Sequence, residues 1–392
     1  MMRAKTARFH SRWLLLFAAF ALLLAACPAD DDADVADDPE PDDDVEEPAP
    51  DPDDDAADDD DADVDADPGD EPAELDQVGE LTVGTIGSPP IVSMIQPYVA
   101  LEEGFYDKYG VDVTIRDMET GLDAARAVET GDLDIAYSPT GPVLTLYGAG
   151  VPVTAVWGWD ALDWFIGSAN PDVQSCEDLE GEAIAGDSVG GARYSVMEII
   201  LDSCGLTVDD VDFVALAGRA ALEGVAAGSV DTAVLHIEDQ YRIEELAPDR
   251  ELHVIEWLED VDPEQHYLMV WGQPDVIEEN REEAVRFLAA TIESLRWMHD
   301  DANYDRLVEI GTVTGDSPEV LEQAFPDFFE IEWYPLDRDG LPEDKIQATI
   351  DEQVRLENIP EGEEPSYEDI VDLSLYEEAW DLVDQHGDYT SQ

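Results

Sequence analysis

Hydrophobic and polar positions repeat with two different periods along the chain after residue 76. The run ELTVGTIG places apolar residues at about every second position and ends at glycine, which is typical of a half-buried strand. IVSMIQPYVALEEGFY then repeats apolar residues every three to four positions, which predicts an amphipathic helix. GVDVTIRDM returns to the strand period, and the same order continues to VPVTAVWGW. Strands that alternate with helices of about ten residues predict a parallel sheet with helices on both faces.

A second series of strands and helices follows in the same order, beginning with the strand GEAIAGD and the helix GGARYSVMEIILDSCG. After HYLMVWGQ the pattern stays helical to the end of the sequence. Two α/β series of similar pattern predict two lobes. If the last helices pack on the first lobe, the chain passes between the lobes twice, near Phe165 and near Val270. A two-strand hinge is the topology that we expect.

The first 26 residues have the pattern of a secretory signal. The apolar run from Trp13 to Ala26 has 14 residues, whereas an α-helix needs about 20 to cross a bilayer. Basic residues and no acidic residue precede it, as in the cationic region of a signal peptide. The end of the run, Leu24-Ala25-Ala26-Cys27, resembles a bacterial lipobox and predicts lipidation of Cys27 with cleavage before it. The alternative is an ordinary signal peptide with an incidental cysteine.

Acidic residues dominate the rest of the chain. Residues 30–76 contain 27 Asp or Glu and no Lys or Arg, which predicts a solvated, disordered tether. A cation-binding or partner-binding tail is the alternative. The formal net charge is −80, and after the tether only Lys108 and Lys345 supply lysine. Salt screens the resulting repulsion, so we interpret this balance as adaptation to a saline habitat. It excludes nucleic acid as a partner, because no basic surface is available for phosphates.

Two cysteines, Cys176 and Cys204, remain once Cys27 is assigned to the lipid. Disulfides persist outside the membrane, so the even pair predicts a bridge. Two buried free thiols are the alternative. Neither cysteine has a histidine or a second thiol at ligand spacing, and we expect no metal and no cofactor.

Several stretches together resemble a known family. They are ALEEGFYDKYGVDV, the segment Gly131–Ala136 (GDLDIA), and EDLEGEAIAGDSVGGARYSVMEIILDSCGLTVDDVDFV followed by AAGSVDTAV. In order and spacing they are similar to substrate-binding proteins of ABC importers, in the nitrate, sulfonate, taurine and thiamine-precursor (NMT1/THI5-like) group. The resemblance runs from about Leu81 to Leu235 and continues weakly beyond.

The resemblance implies a type II periplasmic-binding-protein-like fold and a monomeric lipoprotein on the outer face of the cytoplasmic membrane. Such a protein captures a small organic solute between its lobes and delivers it to a membrane permease, without covalent chemistry. The predicted divisions are a signal peptide at 1–26, a lipid-anchored tether at 27–76, a first lobe at 77–170 and 269–392, and a second lobe at 171–268.

In a fold of this kind the solute is held at the carboxyl ends of strands, where helix N-termini direct free N–H groups into the cleft. The sequence places polar, glycine and aromatic residues there. Each also has a purely structural interpretation as a helix cap, a tight turn or a core residue. The predicted ligand-binding residues are Ser88, Ser138, Pro139, Thr140, Trp157, Trp159, Ser188, Gly190, Gly191, Arg193, Tyr194, His236 and Asp239.

Three of these types carry specific chemistry. Arg193 could pair with a ligand carboxylate or sulfonate, or it could form a structural salt bridge. Trp157, Trp159 and Trp164 could stack on a planar ring or surround an ammonium group, or they could belong to the core. His236 stands where relatives often have an aromatic or acidic residue, so the charge of the ligand stays open.

A rival function rests on Gly186-Asp187-Ser188-Val189-Gly190, which matches G-x-S-x-G between a predicted strand and a predicted helix. Asp239 or Asp260, followed by His266 or His299, would complete a Ser, Asp, His order. No HGGG-like oxyanion segment precedes the motif, and the pattern predicts two short lobes instead of one long sheet. A secreted serine hydrolase using Ser188 is therefore the alternative function.

We predict that the Cys27→Ala substitution abolishes lipid attachment, because the thioether bond needs the cysteine sulfur. Metabolic labelling with an alkyne fatty acid and partition into detergent should detect lipid on the wild type and not on this variant. Cys176→Ala is the matched control and should stay labelled. Labelling of the Cys27→Ala protein would contradict the lipobox interpretation.

Overall fold

The structure is a computed structural model that describes residues 75–388. The predicted signal peptide, Cys27 and the acidic tether up to residue 74 lie outside the described residues. Within the described range, no helix combines the length and the hydropathy that crossing a membrane requires.

Strands and helices alternate along the described range. The strands are β1 (Glu80–Ile86), β2 (Asp112–Met118), β3 (Ile135–Pro139), β4 (Thr154–Trp159), β5 (Trp164–Ser168), β6 (Ala183–Gly186), β7 (Asp212–Ala215), β8 (Thr232–His236), β9 (His253–Trp257) and β10 (Leu268–Gly272). The α-helices are α1 (Gln96–Glu102), α2 (Phe105–Tyr109), α3 (Gly121–Thr130), α4 (Thr140–Gly148), α5 (Ala192–Ser203), α6 (Ala220–Ala227), α7 (Asp239–Leu246), α8 (Leu258–Val261), α9 (Pro274–Glu279), α10 (Arg281–Met298), α11 (Tyr304–Gly311), α12 (Pro318–Glu330), α13 (Glu343–Arg355), α14 (Tyr367–Ile370) and α15 (Ser374–His386). Short 3-10 turns cover Val92–Met94, Cys176–Leu179, Val208–Asp210, Asp301–Asn303 and Thr312–Thr314.

The strands form two five-stranded sheets, with the orders β2-β1-β3-β10-β4 and β7-β6-β8-β5-β9. Both sheets are mixed, because β10 runs antiparallel to its neighbours in the first sheet and β5 does so in the second. This differs from the fully parallel sheets that the sequence pattern predicts. β5 and β10 are the strands that directly follow a passage between the sheets. Each begins at the edge where the parallel strands end, and it therefore runs in the opposite direction.

The chain passes from the first sheet to the second at residues 160–163 and returns at residues 258–267. These positions are a few residues from the predicted crossings near Phe165 and Val270. Two α/β lobes joined by two crossing segments are the architecture that the sequence predicts, and the structure confirms it.

The helical C-terminal part packs on the first lobe, as predicted. In the contact between α1 and α10, Gln96 Nε2 donates to Ser294 Oγ (2.8 Å), and Tyr137 of β3 donates its hydroxyl to Gln96 Oε1 (2.9 Å). Phe287 of α10 stacks on Tyr106 of α2, with 5.9 Å between ring centroids. These side chains are all buried. The polar groups are satisfied inside the core, so the contact orients α10 as well as burying it.

The predicted disulfide is present. Cys176, in the 3-10 turn before β6, is bonded to Cys204 at the end of α5, with 6.0 Å between Cα atoms. The bridge closes a loop with a sequence separation of 28 residues. On the chain-entropy model such a loop contributes about 3 to 4 kcal/mol to stability.

A buried group of charged residues joins the second lobe to the C-terminal helices. Arg242 of α7 donates its Nε to Asp316 Oδ1 (2.6 Å) and its Nη2 to Asp316 Oδ2 (2.5 Å). Its Nη1 also contacts Asp239 (3.0 Å) and Glu238 (3.4 Å). Arg219, which precedes α6, lies 3.5 Å from Asp316. We call these five residues the inter-lobe ion cluster. The Arg242–Asp316 ion pair is bidentate and largely shielded from solvent, so dissolved salt screens it weakly.

We predict that Asp316→Asn weakens this contact between the lobes. Arg242 stays buried but loses its bidentate carboxylate, so the free energy of unfolding should fall by about 3 kcal/mol. Thermal unfolding in concentrated salt measures the stability, and small-angle scattering measures the separation of the lobes through the radius of gyration. Asp305→Asn, on an exposed position of α11, is the matched control. Equal unfolding temperatures for the two variants would contradict the prediction.

Candidate functional site

A cavity lies between the two lobes at the carboxyl ends of the parallel strands. Gly87 after β1 and Pro139 at the end of β3 line it from the first lobe, and Asp187 after β6 and His236 at the end of β8 line it from the second. We call it the strand-end cleft. Its volume of about 30 Å³ corresponds to two or three water-sized groups. This is the position where open α/β sheets bind ligands.

Arg193, in the first turn of α5, lines the strand-end cleft. Its Nε donates to the carbonyl oxygen of Val234 (3.2 Å), and the guanidinium carbon lies 4.9 Å from the centroid of the Trp164 ring. These contacts hold the side chain in one orientation. They leave the two Nη groups of Arg193 without a hydrogen bond to any described residue.

The side chain of Arg193 differs from the other buried arginines in its charge partners. Arg193 is 8% exposed, and within residues 75–388 no carboxylate oxygen lies within 4.0 Å of its guanidinium nitrogens. The other buried arginines each have a carboxylate within that distance: Arg242 has Asp316, Arg286 has Glu282 and Arg296 has Asp337. Of the two roles that the sequence left open for Arg193, the structural salt bridge is not formed with any described residue.

Asp187 is a site residue that the sequence analysis missed. Its carboxylate accepts from the backbone N–H of Arg193 (3.2 Å) and of Tyr194 (3.1 Å), at the N-terminus of α5. A side chain at Gly191 would place its Cβ 2.5 Å from the Asp187 carboxylate, so glycine is required for this approach. Burial raises the pKa of Asp187, although Arg193 and the backbone hydrogen bonds oppose the shift. At this helix start, free N–H groups are predicted to meet the ligand. The backbone N–H groups of Arg193 and Tyr194 are instead already bonded to the protein.

Several predicted ligand-binding residues in the segments that follow β1 and β6 do not line the strand-end cleft. Ser188 and Gly190 are exposed, and the ring of Tyr194 packs on Phe213 with 5.2 Å between centroids. Ser88 is also exposed, and its neighbour Gly87 lines the cleft instead.

The residues predicted after β3 and in β4 are buried in the first lobe. Ser138 is fully buried, with no hydrogen-bond partner for its hydroxyl among the described residues. Trp157 and Trp159 pack edge to face, 5.1 Å apart, inside the core, and Trp159 stacks on Trp333 at 5.9 Å. Neither tryptophan lines the strand-end cleft, because both faces of β4 are covered.

Thr140 is engaged by a buried histidine. Its Oγ1 lies 2.7 Å from His266 Nδ1, and His266 Nε2 lies 2.7 Å from the carbonyl oxygen of Gly340. A carbonyl oxygen only accepts, so Nε2 carries the proton and Nδ1 accepts from the Thr140 hydroxyl. This arrangement suits the neutral imidazole. Burial, with a smaller contribution from Lys345, lowers the pKa of His266 to about 4 against the raising effects of the Gly340 carbonyl and Asp160.

His236 is the last residue of β8 and Asp239 is the first residue of α7, and their side chains have different partners. The His236 ring lines the cleft, its centroid is 3.7 Å from that of Trp164, and its Nδ1 lies 2.7 Å from Asp163 Oδ2. Asp239 faces away from the cleft, accepts from the His236 backbone N–H (3.1 Å) and belongs to the inter-lobe ion cluster. Glu238 between them is buried, which raises its pKa to about 7 against the lowering effect of Arg242.

A larger cavity, of about 600 Å³, lies elsewhere between the lobes. It is bordered by the crossing segments and by the end of α12, with Asp160, Tyr241, Trp257, Asp327 and Lys345 on its walls. We assign the candidate site to the smaller strand-end cleft, because a buried arginine without a carboxylate partner and a buried histidine converge there.

The described residues do not form the arrangement that a serine hydrolase needs. No hydrogen bond joins Ser188 to a histidine within residues 75–388. His266 is bonded to Thr140, and His299 Nε2 lies 2.9 Å from the carbonyl oxygen of Tyr334. Asp239 is paired with Arg242.

Several solved structures with this fold are named as solute-binding proteins. The alkanesulfonate-binding protein SsuA from Xanthomonas axonopodis pv. citri, bound to MOPS, aligns with a TM-score of 0.62 at 15% identity over 75% of this chain and 98% of that one. The nitrate-binding protein NrtA from Synechocystis PCC 6803 aligns with a TM-score of 0.62 at 14% identity over 81% and 93%. SsuA from Escherichia coli aligns with a TM-score of 0.57 at 16% identity over 73% and 95%.

Together these structures show that the fold is periplasmic-binding-protein-like. No curated protein matches the chain in sequence. The sequence model of the NMT1/THI5-like family matches residues 92–303, which is more than half of the 392 residues. The chain belongs to that family, as its sequence resemblance indicates.

We predict that acidification destabilises the protein through His266. The unfolded imidazole binds a proton below its ordinary pKa of 6.5, whereas the folded one stays neutral down to about pH 4. Lowering the pH from 7 to 5 should therefore cost about 2 kcal/mol of unfolding free energy at this residue. Urea unfolding at constant high salt measures it. His266→Gln should lose this part of the pH dependence, and His386→Gln, in the last turn of α15, should keep it. Identical pH dependence in wild type and His266→Gln would contradict the assignment.

Proposed function

We propose that the protein is an extracytoplasmic solute-binding lipoprotein of an ABC import system, which captures a small anionic solute and delivers it to a membrane permease. Family membership and the two-lobed fold support this role. In this proposal residues 1–26 are the signal peptide and residues 27–76 are the lipid-anchored tether. Residues 77–170 and 269–392 form the first lobe, and residues 171–268 form the second.

The observation that carries the proposal is that Arg193 forms no ion pair within 4.0 Å with any described residue and interacts with the Asp187 carboxylate only at longer range. A buried charge without a close counter-ion is costly, and in a chain of net charge −80 carboxylates are abundant. Arg193 lines the strand-end cleft, and its two Nη groups have no hydrogen bond to any described residue. A solute carboxylate, sulfonate or nitrate would accept from both Nη groups and supply the missing charge.

Capture works by closure of the lobes. Arg193, His236 and Trp164 present the binding groups of the second lobe, while Gly87 and Tyr267 complete the cleft from the first lobe and the return crossing. A solute that contacts both sides binds the closed form more tightly than the open form and shifts the population towards it. The small volume of the cleft favours compact solutes, and the nitrate named for one structural neighbour fits this class.

We predict that Arg193→Gln weakens binding of the solute about 30-fold or more. Removing one partner of a buried charge pair costs about 2 to 5 kcal/mol, and about 1.4 kcal/mol corresponds to a factor of ten. A thermal-shift screen of small sulfonates, carboxylates and nitrate in concentrated salt identifies the solute, and calorimetry then gives the dissociation constants.

Arg126→Gln is the matched control for this experiment. Arg126 lies on the exposed face of α3, away from the cleft, and has no ion pair among the described residues. This variant should bind as the wild type does. A stabilising ligand that is neutral or cationic, or unchanged affinity in Arg193→Gln, would refute the proposed function.

A further inference from the structure

We propose that Asp163, His236 and Glu238 form a binding site for a divalent transition-metal ion beside the strand-end cleft. The three residues offer one carboxylate oxygen, one imidazole nitrogen and another carboxylate oxygen, and these atoms lie within 4.8 Å of one another. His236 also lines the strand-end cleft, whereas Asp163 and Glu238 have no part in the proposed capture of a solute. Metal binding to the three residues can therefore be tested whether or not a solute is identified.

The fold fixes the three side chains relative to one another. Asp163 immediately precedes β5, and His236 is the last residue of β8. These strands are paired, with Trp164 opposite His236. Glu238 lies two residues after His236, directly before α7. Asp163 ends the first crossing segment, and the pairing of β5 with β8 holds it next to His236 and Glu238.

Burial makes this set different from the many acidic residues of the surface. Asp163 and Glu238 are 0% exposed and His236 is 1% exposed. Asp163 Oδ1 and Glu238 Oε2 have no hydrogen-bond partner among the described residues. A buried carboxylate oxygen without a partner is costly, and a cation bound between these two side chains and the imidazole would lower that cost.

The local charge balance points the same way. Asp163, Glu238, Asp239 and Asp316 supply four carboxylates to this region. Arg242 contacts the last three of them within 4.0 Å, whereas the contact of Asp163 is with His236. Metal binding needs a neutral imidazole and ionised carboxylates, so Asp163 would then have no positive partner except the ion.

The donor set selects the class of ion. Imidazole nitrogen favours zinc and neighbouring first-row metals, while magnesium and calcium prefer shells of oxygen. In a tetrahedral zinc site with bonds of about 2.0 to 2.2 Å, ligand atoms lie about 3.4 Å apart. Binding therefore requires His236 to turn from its 2.7 Å contact with Asp163 Oδ2. Three protein ligands leave a fourth position for water.

A buried water molecule that donates to both free carboxylate oxygens is the competing explanation. It would leave the set intact and predict no affinity for metal. The two explanations therefore differ in a direct measurement.

The experiment titrates the full-length mature chain, without a histidine tag and freed of metal by chelation, with zinc chloride in concentrated sodium chloride. We expect one ion to bind per chain with higher affinity than the surface acids provide. Asp163→Asn and Glu238→Gln should each weaken this binding at least tenfold. Asp260→Asn, which removes an exposed carboxylate from the return crossing, should leave it unchanged.

Cobalt gives a second readout that does not depend on the stability of the variants. Bound to the wild type, it should show the intense visible absorption of a four-coordinate site, and zinc should remove that absorption. The proposal is overturned if zinc binds the wild type only as weakly as it binds both cluster variants. It is equally overturned if cobalt bound to the wild type keeps the weak spectrum of the hydrated ion.

Discussion

The scarcity of positive charge is the constraint on which the interior of this protein depends. The chain carries 98 acidic residues against 18 Lys and Arg, so each buried cation has many possible partners. Arg242 uses this abundance to join the second lobe to the C-terminal helices through Asp316. Arg193 has no such partner among the described residues. This contrast is the basis of the binding role proposed for Arg193, because burial alone does not distinguish the two arginines.

The direction of two strands follows from the same passages that create the cleft. A chain that leaves one sheet at the carboxyl edge of its strands arrives at the corresponding edge of the other. The first strand after each passage, β5 or β10, must then run against its neighbours. Both crossing segments consequently lie at the cleft. Asp163 and Trp164 of the first passage and Tyr267 of the second are thereby placed next to the binding groups.

The sequence pattern was sufficient for the two lobes, the helical C-terminal part and the disulfide, because periodicity and cysteine number report on these features directly. It did not reveal β5 and β9, and β5 lacks alternation because both of its faces are buried. The predicted roles of Trp157 and Trp159 depended on which face of β4 meets the cleft. When both faces of a strand are buried, its hydrophobic pattern does not indicate which face meets the cleft. In the sequence, Asp187 occupies a variable position of the G-x-S-x-G motif, and that motif assigns it no role.

The carboxylate of Asp187 at the start of α5 has a consequence for competition between anions. The exposed N–H groups of a helix start attract any small anion, chloride among them. The Asp187 carboxylate is covalently part of the protein, so it occupies that position permanently and does not exchange with anions in solution. Discrimination against chloride then depends on the guanidinium group of Arg193. Its planar, bidentate geometry does not match a spherical ion.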